Sequence, residues 1–207
     1  DTGSDAKAVM MRHGSVITHG KMWSDGQIPE AIDIAFECAY DWRAEHIVYD
    51  NDGLGRAIKV GLAPRIQGKN IEVTPYGGND AVDDPGVIYK EDKINRDTFR
   101  NKRAQYYWAL RDRFEDTYNA INKGIYTDPE KMISISSDLE DLDVLKSELI
   151  KIERKRGQNS FIQIESKIDM ARRGVKSPNM ADALVMCFAN PAPIPETINL
   201  EFESDWN

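Results

Sequence analysis

Cysteine and histidine are scarce in this sequence. The 207-residue chain has two cysteines, Cys38 and Cys187, and three histidines, His13, His19 and His46. Both cysteines lie in apolar helical patterns (IAFECAYDW and ADALVMCFA), where a free thiol behaves as a small buried hydrophobe. A reducing, cytoplasmic setting is the expectation. The histidines are scattered, so each reads as a surface or core residue and not as a metal ligand. There is no Cys-x-x-Cys pair, no Gly-x-Ser-x-Gly elbow and no Gly-x-x-x-x-Gly-Lys-Ser/Thr loop, which excludes a P-loop ATPase within these residues. No apolar run approaches the roughly 20 residues of a membrane helix, and no secretory signal leads the chain. Positive charge is also in short supply. Lysine and arginine number 27 against 35 acids, a net charge of -8. A generic nucleic-acid coat protein would be basic. An enzyme that needs carboxylates for metal ions and meets its substrate through local basic patches would not have to be.

The remaining composition is 41% hydrophobic and 30% charged, an ordinary globular mixture long enough for one domain with a sizeable core. The chain opens at Asp1 on a Gly-containing turn without an initiator Met, as expected of a piece of a longer polypeptide.

Alternating apolar residues over 6–12 and 16–22, around His13-Gly14-Ser15, predict a β-hairpin. Apolar spacing predicts a helix over 28–45, with Pro29 in its first turn. His46–Asp50 (HIVYD) is a short β-branched run ending in an acid, which predicts a buried strand. A helix carrying Leu54, Ile58 and Leu62 and a strand over 70–75 follow. Helix, strand, helix, strand implies βαβ crossovers and parallel pairing. Residues 77–95 are rich in Gly, Asp and Asn and are long for a connection, so they read as mobile or functional. A long helix is predicted over 98–123, with an apolar stripe running to Ile121 and Gly124 as its stop. Residues 128–135 are ambiguous. Ser137-Asp138-Leu139-Glu140 reads as a capping box opening a leucine-rich helix. Two strands, 150–153 and 161–165, flank a basic hairpin tip, and a last helix covers 179–189. The Pro-rich residues 191–207 read as an irregular tail, leaving 1–190 as the domain.

Three acidic positions carry candidate chemistry. Asp50 ends a buried strand before a Gly-rich turn, and ligand sites in open α/β sheets form outside the carboxyl ends of strands. Its ordinary reading is a turn former or helix cap. Asp182 lies among Ala181, Ala183, Leu184 and Val185. An acid there must be paired, neutralised or metal-bound, unless it lies on an exposed helix face. The opening Asp1-Thr2-Gly3-Ser4-Asp5 has three functional readings: an aspartic-protease loop, a phosphate loop of actin-like kinases, or an acid on the first strand of an RNase H-like sheet. The first needs a second copy and a nearly all-β fold; the second needs a further phosphate loop. Neither is present. The ordinary reading is a turn with frayed acids. Carboxylates gathered in one crevice repel unless cations hold them, and two Mg²⁺ or Mn²⁺ ions roughly 4 Å apart would do so. Arg154, Lys155 and Arg156 on the hairpin tip, with Lys167, Arg172, Arg173 and Lys176 before the last helix, suit a DNA backbone led to that crevice. Their ordinary reading is a solvated charged face.

Four segments occur in order: DTGSDAKAV before the hairpin, HIVYDNDGLG, FRNKRAQYYWAL and SPNMADAL. Together they resemble the C-terminal nuclease domain of the large terminase subunit of tailed bacteriophages, in the branch of the short-tailed phages P22 and Sf6. The resemblance spans nearly the whole chain. It implies an RNase H-like α/β fold, a mixed sheet flanked by helices with an additional hairpin. It implies two-metal endonucleolytic cleavage of concatemeric double-stranded DNA during genome packaging in the host cytoplasm. It further implies an upstream packaging ATPase, and the portal protein and small terminase subunit as partners. Asp50 matches the second-strand metal ligand and Asp182 the late helical one. The first-strand ligand is Asp1, Asp5 or a residue upstream. The alternatives are a non-catalytic RNase H-like docking module and a transposase- or resolvase-like nuclease.

Overall fold

The computed structural model describes residues 6–52, 55–155 and 160–189. Strands β1 (Lys7–His13) and β2 (Val16–Trp23) form the expected hairpin, with Gly14 taking the positive φ (58°) that its turn requires. The register slips at Met11/Arg12, a bulge in the hairpin. Helix α1 (Ile28–Asp41) begins with Pro29 and a reciprocal cap between Gln27 and Glu30, and ends four residues before the predicted Glu45. The cause is Arg43, whose φ of 57° breaks the helical path and turns the chain into β3 (His46–Asp50). Helix α2 (Gly55–Ile66) then leads to β4 (Glu72–Tyr76), which pairs with β3 in parallel, as the alternating order required.

Residues 77–95 are not loose. They contain β5 (Ile88–Lys90) and β6 (Lys93–Ile94), and run into a single helical turn, α3 (Asn95–Thr98). The buried Asn95 side chain donates to the carbonyls of Asp83 and Asp84 and pins the segment. The long helix α4 (Lys102–Lys123) starts later than the predicted Thr98, because Phe99 is extended and bridges Ile162. Asn101 caps it by accepting from the Ala104 N–H at 3.0 Å, and Gly124 ends it in the left-handed region. Its stripe is buried at Ala104, Tyr107 and Leu110, but Ile121 is 76% exposed, so the predicted stripe overran the core.

A short 3₁₀ turn (Pro129–Lys131) precedes β7 (Ser134–Ile135), which pairs in parallel with β2. Helix α5 (Leu142–Leu149) starts after Asp141, itself left-handed (φ 60°), so Ser137 and Glu140 do not form its cap. The predicted strands at 150–153 and 161–165 survive as single bridges, Arg154 with Ile164 and Phe99 with Ile162. Ile150 is instead the C-cap of α5. Helices α6 (Lys167–Arg172) and α7 (Asn179–Ala189) complete the described chain.

The architecture is α/β with helices flanking the strands. Among the described residues the ladders are β1-β2-β7, β3-β4 and β5-β6. Helix α7 packs on β1, β2 and β3 as well as α4 and α5. Its Met180, Ala181 and Leu184 are fully buried with Ile17 and Leu145. It is apolar nearly all round, as a central helix must be. No described helix is long and apolar enough to cross a membrane.

Candidate metal centre

Asp50 is the last residue of β3 and stands opposite Tyr76 at the end of β4. Alternation along β3 sends Tyr49 into the cluster with Ile32 and Leu62, and Asp50 to the other face, with Val48. One oxygen of Asp50 accepts the Asp52 N–H at 2.9 Å. The residue is therefore a turn former as well as a candidate ligand. Burial raises its pKa above the ordinary carboxylate value, and the charges of Asp52 and Asp182 push the same way against Lys167 and the Asp52 N–H.

Asp182 sits in the first turn of α7 with its side chain only 13% exposed, which removes the reading as a surface acid. Its Oδ1 accepts from Arg103 Nη1 and Tyr107 Oη, both at 2.6 Å. Arg103 and Tyr107 are four residues apart on α4, and the guanidinium lies over the Tyr107 ring at 4.6 Å. Lys167 Nζ approaches Oδ2 at 3.1 Å, but without the alignment of a hydrogen bond, so Oδ2 is buried and has no hydrogen-bond partner. Sequence reasoning found Asp182 but not Arg103, Tyr107 or Tyr76. An Arg and a Tyr four apart on one helix would have been a usable signal only with Asp182 already placed opposite.

Five buried side-chain polar atoms lack a partner among the described residues: Trp23 Nε1, Tyr76 Oη, Arg103 Nε, Arg103 Nη2 and Asp182 Oδ2. Four of the five gather around Asp182. Each such atom costs about 1–3 kcal/mol, so their concentration marks a place built for something besides protein. Burial also raises the Tyr76 hydroxyl pKa, so it stays protonated at neutral pH. A carboxylate oxygen without a donor, facing a second desolvated carboxyl, suits a hard divalent cation with oxygen ligands. The residues fit such an ion, with Asp50 and Asp182 as its carboxylates and Asp52 close by. Asn79 Nδ2 donates to Asp52 Oδ2 at 3.1 Å. The described residues bring no three His, Cys, Asp or Glu side chains close enough to complete a cage. Asp1 and Asp5 lie outside the described residues.

The histidines take no part: His13 is exposed, His19 stacks on Trp42, and His46 bonds Thr74. Both cysteines are free, and burial pushes the Cys187 thiol up to about 12, so it is not a nucleophile.

The basic candidates divide. Lys167 pairs with Asp182 at 3.1 Å. Arg173 forms a fork onto the buried Glu165, with further bonds to Glu153 and the Lys151 carbonyl. Lys155 pairs with Asp169 at 2.7 Å, and Arg172 with the same acid at 3.5 Å. Arg154 lies over the Trp108 ring at 5.3 Å. Neither Arg154 nor the exposed Lys176 has an ion-pair partner among the described residues. Arg156 lies outside them.

No protein-family model matches the chain, and no curated protein matches it. Among solved structures it is similar to the nuclease domain of the large terminase subunit gp2 of bacterial virus Sf6, at 37% identity over 93% of this chain and 85% of that chain, with a TM-score of 0.87. A single-residue variant of that domain solved with manganese and β-thujaplicinol gives 37% identity, the same coverage and a TM-score of 0.88. A variant solved with calcium gives 36% identity over 92% of this chain and 85% of that one, with a TM-score of 0.87.

Proposed function

The chain belongs to the family of large-terminase nuclease domains of bacterial viruses, and we propose from that premise that it cuts double-stranded DNA for genome packaging with divalent cations held by Asp50 and Asp182. The observation that carries the site assignment is the buried Oδ2 of Asp182, which has the Lys167 ion pair but no hydrogen-bond donor, within electrostatic reach of the desolvated Asp50 carboxyl. The relatives solved with manganese and calcium support a metal-dependent reading.

Mg²⁺ or Mn²⁺, two ions in the full site, would supply charge neutralisation at the scissile phosphate and a hydroxide at neutral pH. The residues of the chain do the rest. Asp50 is fixed by its strand and by the Asp52 N–H, which leaves one oxygen for a ligand. Arg103 and Tyr107 hold Asp182 Oδ1, which restrains the carboxylate and keeps Oδ2 toward Lys167. Lys167 is a half-exposed counter-charge for Oδ2 that a cation can replace. The third carboxylate is Asp1 or Asp5 or a residue preceding them. Lys176 and Arg154, the candidates without ion pairs among the described residues, touch the DNA backbone, and contacts of that kind carry weak sequence preference. The portal protein, the small terminase subunit and an upstream packaging ATPase are the partners this role requires, in the host cytoplasm.

Plasmid cleavage tests the proposal. The protein with Mg²⁺ or Mn²⁺ should nick and linearise supercoiled DNA, and a chelator should stop it. Asp50→Asn and Asp182→Asn should each abolish cleavage with an unchanged circular-dichroism spectrum. Full activity in either variant refutes that residue's assignment.

A further inference from the structure

Helix α7 carries Asp182 in its first turn, yet it begins without a cap of its own. The preceding residue is Pro178, which has no side-chain acceptor, and Ser177 Oγ donates to Asn179 Oδ1 at 2.9 Å and accepts from none of the first N–H groups among the described residues. The first N–H groups of a helix need acceptors. Here the Asn179 N–H goes back to the Ser177 carbonyl, and the Asp182 N–H closes the first turn on Pro178. The N–H groups between them have no such partner in the helix. Glu148, reaching across from the last turn of α5, supplies it. Its Oε2 accepts the Ala181 N–H at 2.8 Å, and the N–H groups of Met180 and Asn179 act on the same carboxylate. The carboxylate is half-buried, between Leu145 of α5 and Met180 and Ala181 of α7, all fully enclosed. The N–H groups at the start of α7 are what offset the desolvation of this carboxylate.

We propose that Glu148 is a positioning residue for the metal centre. It anchors the first turn of α7 at the depth and rotation that aim Asp182 Oδ2 at the cation, and its negative charge lies against the positive end of the helix dipole. It touches neither substrate nor metal. Asp182 is thereby held from two sides: Arg103 and Tyr107 fix its carboxylate, and Glu148 fixes the backbone that carries it. This inference rests on the reading of Asp182 as a metal ligand. Outer partners of this kind are worth about 10–100-fold in metal affinity or rate.

The test compares Glu148→Ala, Glu148→Gln and Glu148→Asp, with Asp182→Asn as reference. Mn²⁺ affinity is measured by titration calorimetry, plasmid cleavage is resolved into kcat and KM, and Tm is recorded for each variant. Glu148→Ala should weaken Mn²⁺ binding and lower kcat by about tenfold or more, leave KM for DNA unchanged, and recover rate as Mn²⁺ is raised. Glu148→Gln, which still offers an oxygen to Ala181, should restore Mn²⁺ affinity to within about threefold of the unsubstituted protein. Glu148→Asp, which withdraws the carboxylate by one methylene, should fall between, and it carries the test if the alanine variant does not fold. Unchanged Mn²⁺ affinity in both the alanine and aspartate variants, or a lowered Tm with normal affinity, overturns the proposal. If Asp182→Asn also binds Mn²⁺ normally, the metal reading itself fails. If Asp182→Asn loses binding and the Glu148 variants do not, only the positioning role falls.

Discussion

At the scale of single residues, the site is a set of groups that would be unfavourable anywhere else. Arg103 and Asp182 are a buried pair, with side chains 16% and 13% exposed. Removing one partner of such a pair typically costs about 3–5 kcal/mol, because the other charge is left uncompensated. Arg103→Ala is therefore expected to lower unfolding free energy in urea by about 3 kcal/mol; a loss below about 1 kcal/mol would mean that Lys167 alone suffices for Asp182. Asp50 supplies a pH signature. Its folded-state pKa is raised, chiefly by burial, so in the metal-free protein its protonated form contributes stability below the unfolded pKa, and that contribution is lost as pH rises through the folded value. A cation competes with the same proton. Mn²⁺ affinity should weaken as pH is lowered through the raised pKa, by up to about tenfold per unit, and calorimetry of Asp50→Asn should lose that slope. A slope unchanged in the variant would place the titrating group elsewhere. Arg173 was a reasonable DNA-contact candidate in the sequence. In the structure its guanidinium is committed to Glu165, Glu153 and a carbonyl. Arg173→Ala should lower the urea midpoint more than it weakens DNA binding measured by anisotropy, and the opposite ranking would return it to the DNA surface.

At the scale of elements, a strand end and two helix starts do the positioning. The strand end at Asp50 was legible in the sequence, because the β-branched Ile47 and Val48 and the aromatic Tyr49 followed by a polar turn have few other outcomes. So was α7, whose bounds Asn179–Ala189 follow from its apolar run and from Pro178. Helix α4 was legible in type but not in its start. Periodicity ran back to Thr98, and only the bridge of Phe99 to Ile162, a contact distant in sequence, converts residues 99–101 to extended chain. The Asn101 cap that results sets where Arg103 and Tyr107 emerge. Asn101→Ala should cost about 1 kcal/mol of stability and reduce cleavage as Arg103 shifts; stability loss with fully normal cleavage would show that α4 is held by packing alone. Capping boxes deceived at Ser137, where Leu139 is buried and the left-handed Asp141 postpones the helix. The arginine and tyrosine that hold Asp182 were not legible, because nothing in a local pattern says that α4 and α7 face each other at those residues.

At the scale of the whole molecule, the balance of charge makes sense only once its arrangement is known. A net charge of -8 leaves contact with DNA to local basic groups, and several of the candidates are engaged internally: Lys155 and Arg172 on Asp169, and Arg173 on Glu165. The salt dependence of DNA binding should follow the candidates that have no ion pair among the described residues. Lys176→Ala and Arg154→Ala should each reduce the slope of log K against log salt by about 1; no change in either would locate the DNA path on another face. Helix α7 unites these features, since it packs on β1, β2, β3, α4 and α5 and also carries Asp182. We place a divalent cation on Asp50 and Asp182, between the β3 end and the α7 start. The most direct test of this placement is the anomalous difference map of a Mn²⁺-soaked crystal. A peak is expected within about 2.6 Å of an oxygen from each carboxylate, with the Lys167 ammonium displaced from Asp182 Oδ2. A cleavage-competent protein whose Mn²⁺ peaks avoid both carboxylates would contradict it.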